Sequence, residues 1–232
     1  MDTKILHMIE GAKEARGLAV IIDVFRAFSF ECYLMNNNAI TVMPVGSKEI
    51  AYKLKEENPK YILAGERKGK ILEGFDYGNS PAQIENIDFT GKTVIHTTSA
   101  GTQGIDNAIN AERIITGSLV NAKAIAKYIR KYNFNTVSFV CMGLEALRPT
   151  DEDNLCAEYI KSILENRQMD IEAEMEKLKY TDGQKFFDKK QQDVFPEKDF
   201  HLCTQVNKFD FVLLVEKNKD GLNYVRKIRD EE

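Results

Sequence analysis

The chain reads as an α/β protein, a layered α/β sandwich built on a mostly parallel or mixed sheet. Two observations predict this. Short apolar runs rich in β-branched residues recur along the sequence, with amphipathic segments between them. Several of those runs are almost uninterrupted by polar residues, as expected of strands buried on both faces. Strands alternating with helices give a sheet covered by helical layers.

In chain order the strand-like runs are 18–23, 39–45, 61–64, 93–97, 113–116, 136–141 and 209–216. Segments 47–57, 100–108, 121–131 and 150–166 read as amphipathic helices, and Ser47, Asn121 and Thr150 stand where N-caps belong. Segment 170–198 differs in character. It is polar, densely charged and helical in pattern until Phe195-Pro196 breaks it, which reads as a solvated helix or a lid. Neither an internal repeat nor a low-complexity linker divides the chain, so residues 1–232 are expected to form one domain.

Composition narrows the function. With 43% hydrophobic residues in a chain of 232, there is material for a sizeable core. A formal charge of −4 lacks the basic bias of a nucleic-acid binder. No run approaches the roughly 20 apolar residues of a membrane span, and residues 1–11 hold no apolar signal core. A cytoplasmic protein is therefore expected, and Cys32, Cys141, Cys156 and Cys203, with no CxxC pair among them, fit reduced thiols. The expected partner is a small anionic ligand and, at most, further copies of the chain, with neither nucleic acid nor membrane.

Ligands of α/β sheets gather at the carboxyl ends of strands, and Asp23, Glu66, Thr97 and Cys141 fall at such ends. The most informative segment follows the third run. It carries Glu66, Arg67 and Asp76 and ends in the turn Gly78-Asn79-Ser80-Pro81. An anion with a divalent metal needs that inventory: a guanidinium to neutralise, Glu66 or Asp76 to ligate, and free N–H groups to cradle. Asp23 with Arg26 reads equally as a helix cap with its surface partner or as a carboxylate and an anion clamp. Phe25 stands where the haloacid-dehalogenase phosphatases need a second Asp, which excludes that family.

Thr97-Thr98-Ser99-Ala100-Gly101-Thr102 places hydroxyls and a glycine ahead of a helix, either as a simple cap or as an anion site at its positive end. Gly91-Lys92-Thr93 is no P-loop, because Asn86 occupies the position of that motif's first glycine and Lys92 precedes a strand. Thr150 with Asp153 resembles a capping box. The functional alternative has Glu152 or Asp153 completing a hard-cation site with Asp23 and Glu66, for which Mg²⁺ is the natural occupant. Cys156 sits where a calcium loop needs glycine. His96 reads equally as a packed imidazole or a proton shuttle.

Together these blocks resemble the 2-phosphosulfolactate phosphatase family of coenzyme M biosynthesis. The matching pieces are Ile22-Asp23-Val24-Phe25-Arg26-Ala27, Ala64-Gly65-Glu66-Arg67, Gly74-Phe75-Asp76-Tyr77-Gly78-Asn79-Ser80-Pro81, Thr97 to Thr102, Gly117 to Ala122, and Glu152-Asp153 with Cys156-Ala157. They follow the family's order over nearly the whole chain. One departure is Ser99-Ala100, where members often carry a single Asn. The resemblance implies a family-specific α/β phosphatase fold and Mg²⁺-dependent hydrolysis of (R)-2-phospho-3-sulfolactate to 3-sulfolactate and phosphate.

On that reading Asp23, Arg26, Glu66 and Arg67 are catalytic, and a subset of Asp23, Glu66, Asp76 and Asp153 holds Mg²⁺. Asn79, Ser80, Thr97, Thr98, Ser99, Gly101 and Thr102 then bind the anionic groups of the substrate. Attack by water and attack by Asp23 both remain open. Two rivals stand beside it: a non-catalytic small-polyanion binding protein, and a phosphatase for another phosphorylated hydroxy acid.

Overall fold

The most apolar segments make the middle of the sheet. The computed structural model describes residues 1–229. It runs β1 (Asp2–His7), α1 (Met8–Glu14), β2 (Leu18–Ile22), α2 (Ala27–Asn36), β3 (Thr41–Pro44), α3 (Lys48–Glu57) and β4 (Ile62–Arg67). Then come β5 (Lys70–Ile71), α4 (Pro81–Ile84), β6 (Thr93–Thr97), α5 (Gly101–Asn107), β7 (Arg113–Gly117), α6 (Ala122–Tyr132) and β8 (Thr136–Cys141). The chain closes with α7 (Asp151–Leu164), α8 (Ile171–Leu178), α9 (Glu197–Cys203), β9 (Phe211–Lys217) and β10 (Asn223–Arg229).

All ten strands join one sheet in the order β1-β8-β2-β7-β9-β10-β3-β6-β4-β5. The α/β expectation holds, and so does a mixed, mostly parallel sheet. In β2 the side chains of Leu18, Val20 and Ile22 enter a core shared with α6 and α7, while Ala19 and Ile21 enter one shared with α1, α2 and α5. That is the period-two alternation of a strand with helices on both faces. Among the described residues no helix is long and apolar enough to cross a membrane. All four cysteines are free and buried.

Pairing divides the sheet into two parallel groups. β1, β8, β2 and β7 are parallel neighbours, as are β3, β6 and β4, and the antiparallel pair β9–β10 joins the groups. Three antiparallel ladders separate β7 from β3, so the groups run in opposite senses. Sheet twist of roughly 20–25° per strand step accumulates to about 100–125° over the five steps from β2 to β6. Residues at or just past the carboxyl ends of β2, β4, β6 and β8 nevertheless line one cavity, Asp23, Glu66, Ser99 and Gly143 among them.

Seven elements escaped sequence reading: β1, α1, α2, β5, α4, α9 and β10. α2 buries nine of its ten residues, from Ala27 to Met35, and so shows no polar face to mark it. β1, α1 and β10 are half-polar elements at the periphery or at the junction. Of the predicted caps, Ser47 accepts from Ile50 N at 3.2 Å as expected. Thr150 does not cap its helix; Asp182 accepts from Asp151 N at 2.9 Å in its place. Asn121 acts one turn earlier, its side chain accepting from Ser118 N at 3.1 Å.

Gly65 holds β4 against β6 with φ +154, and a Cβ there would collide with the Thr97 carbonyl oxygen. Gly65→Ala should lower unfolding stability by about 1–3 kcal/mol, read from the denaturation midpoint. An unchanged midpoint would show that the β4–β6 junction yields freely.

Candidate active site

Asp23 leaves β2 and bends back over the start of α2. Its Oδ1 accepts from Ala27 N at 3.1 Å. On its other side Gly101 opens α5, and a Cβ at Gly101 would lie 2.9 Å from Asp23 Oδ2. Glycine is needed there because the carboxylate packs directly on that backbone. Asp153, in the first turn of α7, joins two loops: Oδ1 accepts from Val24 N and Oδ2 from Gly143 N, each at 2.8 Å. The resemblance of Thr150 and Asp153 to a capping box is thereby corrected, since Asp153 gives both oxygens to other segments.

Glu66 is the penultimate residue of β4, which passes at Arg67 into a two-residue turn, Lys68-Gly69, in which both residues have positive φ. Its Oε2 accepts from Gly69 N at 2.6 Å and its Oε1 from Ser99 N at 2.7 Å. Arg26 is 3% exposed, and its Nη1 donates to Asp199 Oδ2 at 2.7 Å and to Val194 O at 2.8 Å. The Phe195 ring faces its guanidinium at 5.0 Å. Asn79 is buried beside it with its Oδ1 unpaired.

These groups enclose a cavity of about 80 Å³. Its acids are Asp23, Glu66, Glu145, Glu152 and Asp153, and its bases are Arg26, Lys68 and Lys185. Burial pushes the Asp23 carboxyl up to about 6, with the Glu66 charge adding to the rise and the Ala27 N–H opposing it. Burial likewise pushes Glu152 up to about 7, against the pull of the Lys185 ammonium. Asp153 is raised well above the carboxylate range by burial and by its neighbours Glu152 and Asp23. Glu152 Oε2 has no hydrogen-bond partner.

A hard divalent cation fits this set. Desolvated carboxylates exceed the bases and leave lone pairs unused, and such a cation would relieve their mutual repulsion. Among the described residues no three Asp, Glu, His or Cys side chains already form a metal cage. Mg²⁺ asks for less than that, since one or two carboxylates with water and substrate oxygens suffice.

Of the residues singled out in the sequence, Asp23, Arg26, Glu66, Asn79, Ser99 and Asp153 line the cavity, and Gly101 backs Asp23. Others do not. Arg67 alternates with Glu66 along β4 and so points away. Its Nη1 donates to Glu66 O at 2.7 Å, and its Nη2 to Thr97 Oγ1 at 3.0 Å. Asp76 is an exposed residue that accepts from Leu63 N at 2.8 Å and lies 3.6 Å from Lys55 Nζ, so it is no ligand of this cavity.

Thr97 is spent on Arg67. Thr98 and Thr102 bond each other, Thr98 N to Thr102 Oγ1 at 3.1 Å and Thr102 N to Thr98 Oγ1 at 3.2 Å. Ser80 donates to Asp199 Oδ1 at 2.8 Å and stands behind the wall. The hydroxyl cluster is thus a fold device, and only Ser99 of its side chains borders the cavity. His96 is fully buried, its Nδ1 2.8 Å from Glu31 Oε1, and it does not line the site.

Sequence reading missed Lys185, Phe195 and Asp199, all of which lie in or just after the charged segment 170–198. Nothing in the local pattern separated them from a solvated face. Glu152 was visible only as an alternative to Asp153.

Asp23 and Glu152 have folded pKa values above the ordinary carboxylate values of about 3.9 and 4.3, so the native state binds their protons more tightly than the unfolded chain does. Their contribution is favourable at low pH and is lost as pH climbs through about 6 to 7. Melting of the metal-free protein should therefore rise when pH falls from about 7.5 to 5.5, and Glu152→Gln should flatten that slope. A Tm that falls over this window in the native protein would mean the acids are solvated.

The 2-phosphosulpholactate phosphatase family model matches residues 4–218. A relative from Bacillus subtilis (strain 168), called a probable 2-phosphosulfolactate phosphatase, is 34% identical over 202 residues, covering 86% of this chain and 87% of its own. One from Caldanaerobacter subterraneus subsp. tengcongensis with the same name is 33% identical over 217 residues, 88% of each chain. Another so named, from Clostridium acetobutylicum, is 38% identical over 176 residues, 75% of this chain and 71% of its own. With the match running from β1 to the end of β9 and every wall of the cavity inside it, the chain belongs to the 2-phosphosulpholactate phosphatase family.

Proposed function

We propose that the chain is a Mg²⁺-dependent phosphatase that hydrolyses (R)-2-phospho-3-sulfolactate to 3-sulfolactate and phosphate, in the service of coenzyme M biosynthesis. The observation that carries this reading is the meeting of buried, incompletely paired carboxylates and a fixed guanidinium in one small cavity. Family membership supplies the substrate class. The same reading sets the enzyme in the cytoplasm, where thiols such as the four buried cysteines stay reduced.

Asp23, backed by Glu66 and Asp153, would hold the cation, which when bound supplies charge neutralisation at the phosphoryl oxygens. Arg26 braces a phosphoryl oxygen from a position that Asp199 and Phe195 fix in advance, so no reorganisation accompanies the reaction. Phosphoryl transfer asks mainly for such positioning and charge stabilisation. What remains is a proton for the leaving alkoxide. Glu152, with a pKa near 7 and one oxygen unpaired, is suited to give it. Water attacks phosphorus as the bond to the C2 oxygen breaks. Glu152 protonates that oxygen, and the attacking water leaves one proton on the product phosphate and returns the other to Glu152.

Phosphate release from racemic 2-phospho-3-sulfolactate should occur with Mg²⁺ and stop with EDTA, and Asp23→Asn should abolish it. Release unaffected by EDTA would remove the metal from the reaction, and no release from this ester would remove the substrate. Glu152→Gln should lower kcat by about 10²–10⁴-fold on the sulfolactate ester. It should cost far less on p-nitrophenyl phosphate, whose leaving group needs no proton. Equal losses on both esters would take the acid role away from Glu152.

A further inference from the structure

The segment 170–198 divides in two. Its first part, α8, is a solvated helix laced with exposed pairs such as Lys177 Nζ to Glu174 Oε1 at 2.7 Å. Its second part is docked. Phe186 is fully buried against Leu178 and Phe200, Asp182 holds the start of α7, and Val194 O accepts from Arg26. Between these anchors the chain places Lys185 in the cavity wall.

Lys185 Nζ lies 5.9 Å from the centroid of Phe25, 5.5 Å from that of Phe186 and 5.3 Å from that of Phe195. Among the described residues the ammonium has no hydrogen-bond or ion-pair partner, so its three donors are free. It also borders the wider groove beyond the cavity, next to Leu144. The buried cation of the cavity, Arg26, is already bonded to Asp199 and Val194 O. An aromatic pocket fixes Lys185 through ring quadrupoles without using its N–H bonds.

We infer that Lys185 is the specificity-determining residue that reads the sulfonate of the substrate, at the point where the small cavity opens into the outer groove. The inference rests on the substrate reading given above. A cavity of about 80 Å³ suits the phosphoryl end, so the other anions must reach toward its mouth. A compact ammonium with three rotatable donors suits a three-oxygen sulfonate, whereas a planar carboxylate is better met by a guanidinium fork. The phenyl walls around Nζ favour a weakly hydrated anion over a strongly hydrated one.

The test compares 2-phospho-3-sulfolactate with 2-phospholactate, which keeps the carboxylate and lacks the sulfonate, in the full-length protein with Mg²⁺. Lys185→Met should reduce the ratio of kcat/KM between the two esters by at least about tenfold, the size of one charge-assisted hydrogen bond. The loss should appear in KM for the sulfonated ester, and Lys185→Arg should recover part of it. An unchanged ratio overturns the inference, whether both esters lose activity together, as they would if Lys185 only served Glu152, or neither does. If the native protein turns over neither ester, the substrate reading falls and takes this one with it.

Discussion

The cavity depends on one buried carboxylate that never faces it. Asp199 is fully buried and accepts from Arg26 Nη1, Ser80 Oγ and Ala82 N at 2.7, 2.8 and 2.9 Å. Through it the loop after β2, the turn before α4 and the start of α9 become one rigid body. Such a pair is strongly costly to break on one side only, by about 3–5 kcal/mol, because the survivor is left charged in the interior. That cost keeps the Arg26 guanidinium in one orientation at the wall of the cavity.

The same device recurs at smaller scale. Asp153 ties the β2 loop to the β8 loop, and Glu66 ties the β4 turn to the start of α5. In each case a carboxylate satisfies backbone N–H groups that a converging set of strand ends would otherwise leave unpaired. These acids brace the site first, and whatever ligand chemistry they perform uses the lone pairs left over. Asp23 and Glu152 are more sparingly bonded, and burial raises their pKa values to about 6 and about 7.

Charge balance is what makes the proposed pairing of a cation with an anion fit this cavity. A polyanionic ester entering this desolvated cavity meets five acids beside three bases, and each acid that stays ionised opposes it. On the proposed reading a bound divalent ion would reverse the sign of that charge at the phosphoryl group, and Lys185 would reverse it at the mouth. Burial raises the pKa values of these acids, and it also makes an ionised acid here costly until it is neutralised.

The sequence by itself determined the α/β alternation, the seven most apolar strands and the blocks in which Asp23, Arg26, Glu66, Asn79 and Asp153 stand. Each announces itself locally, through apolar periodicity or a polar residue just past a strand end. Tertiary structure decided which neighbours in a block face the cavity. Strand alternation turned Arg67 outward beside Glu66, and the mutual bonds of Thr98 and Thr102 withdrew two expected donors. It also brought Lys185, Phe195 and Asp199 across from a charged stretch with no local mark. The physical reason is that a buried ion pair or an aromatic box forms between segments far apart in the chain. Arg26 and Asp199 are 173 residues apart, and only the folded sheet brings them to 2.7 Å.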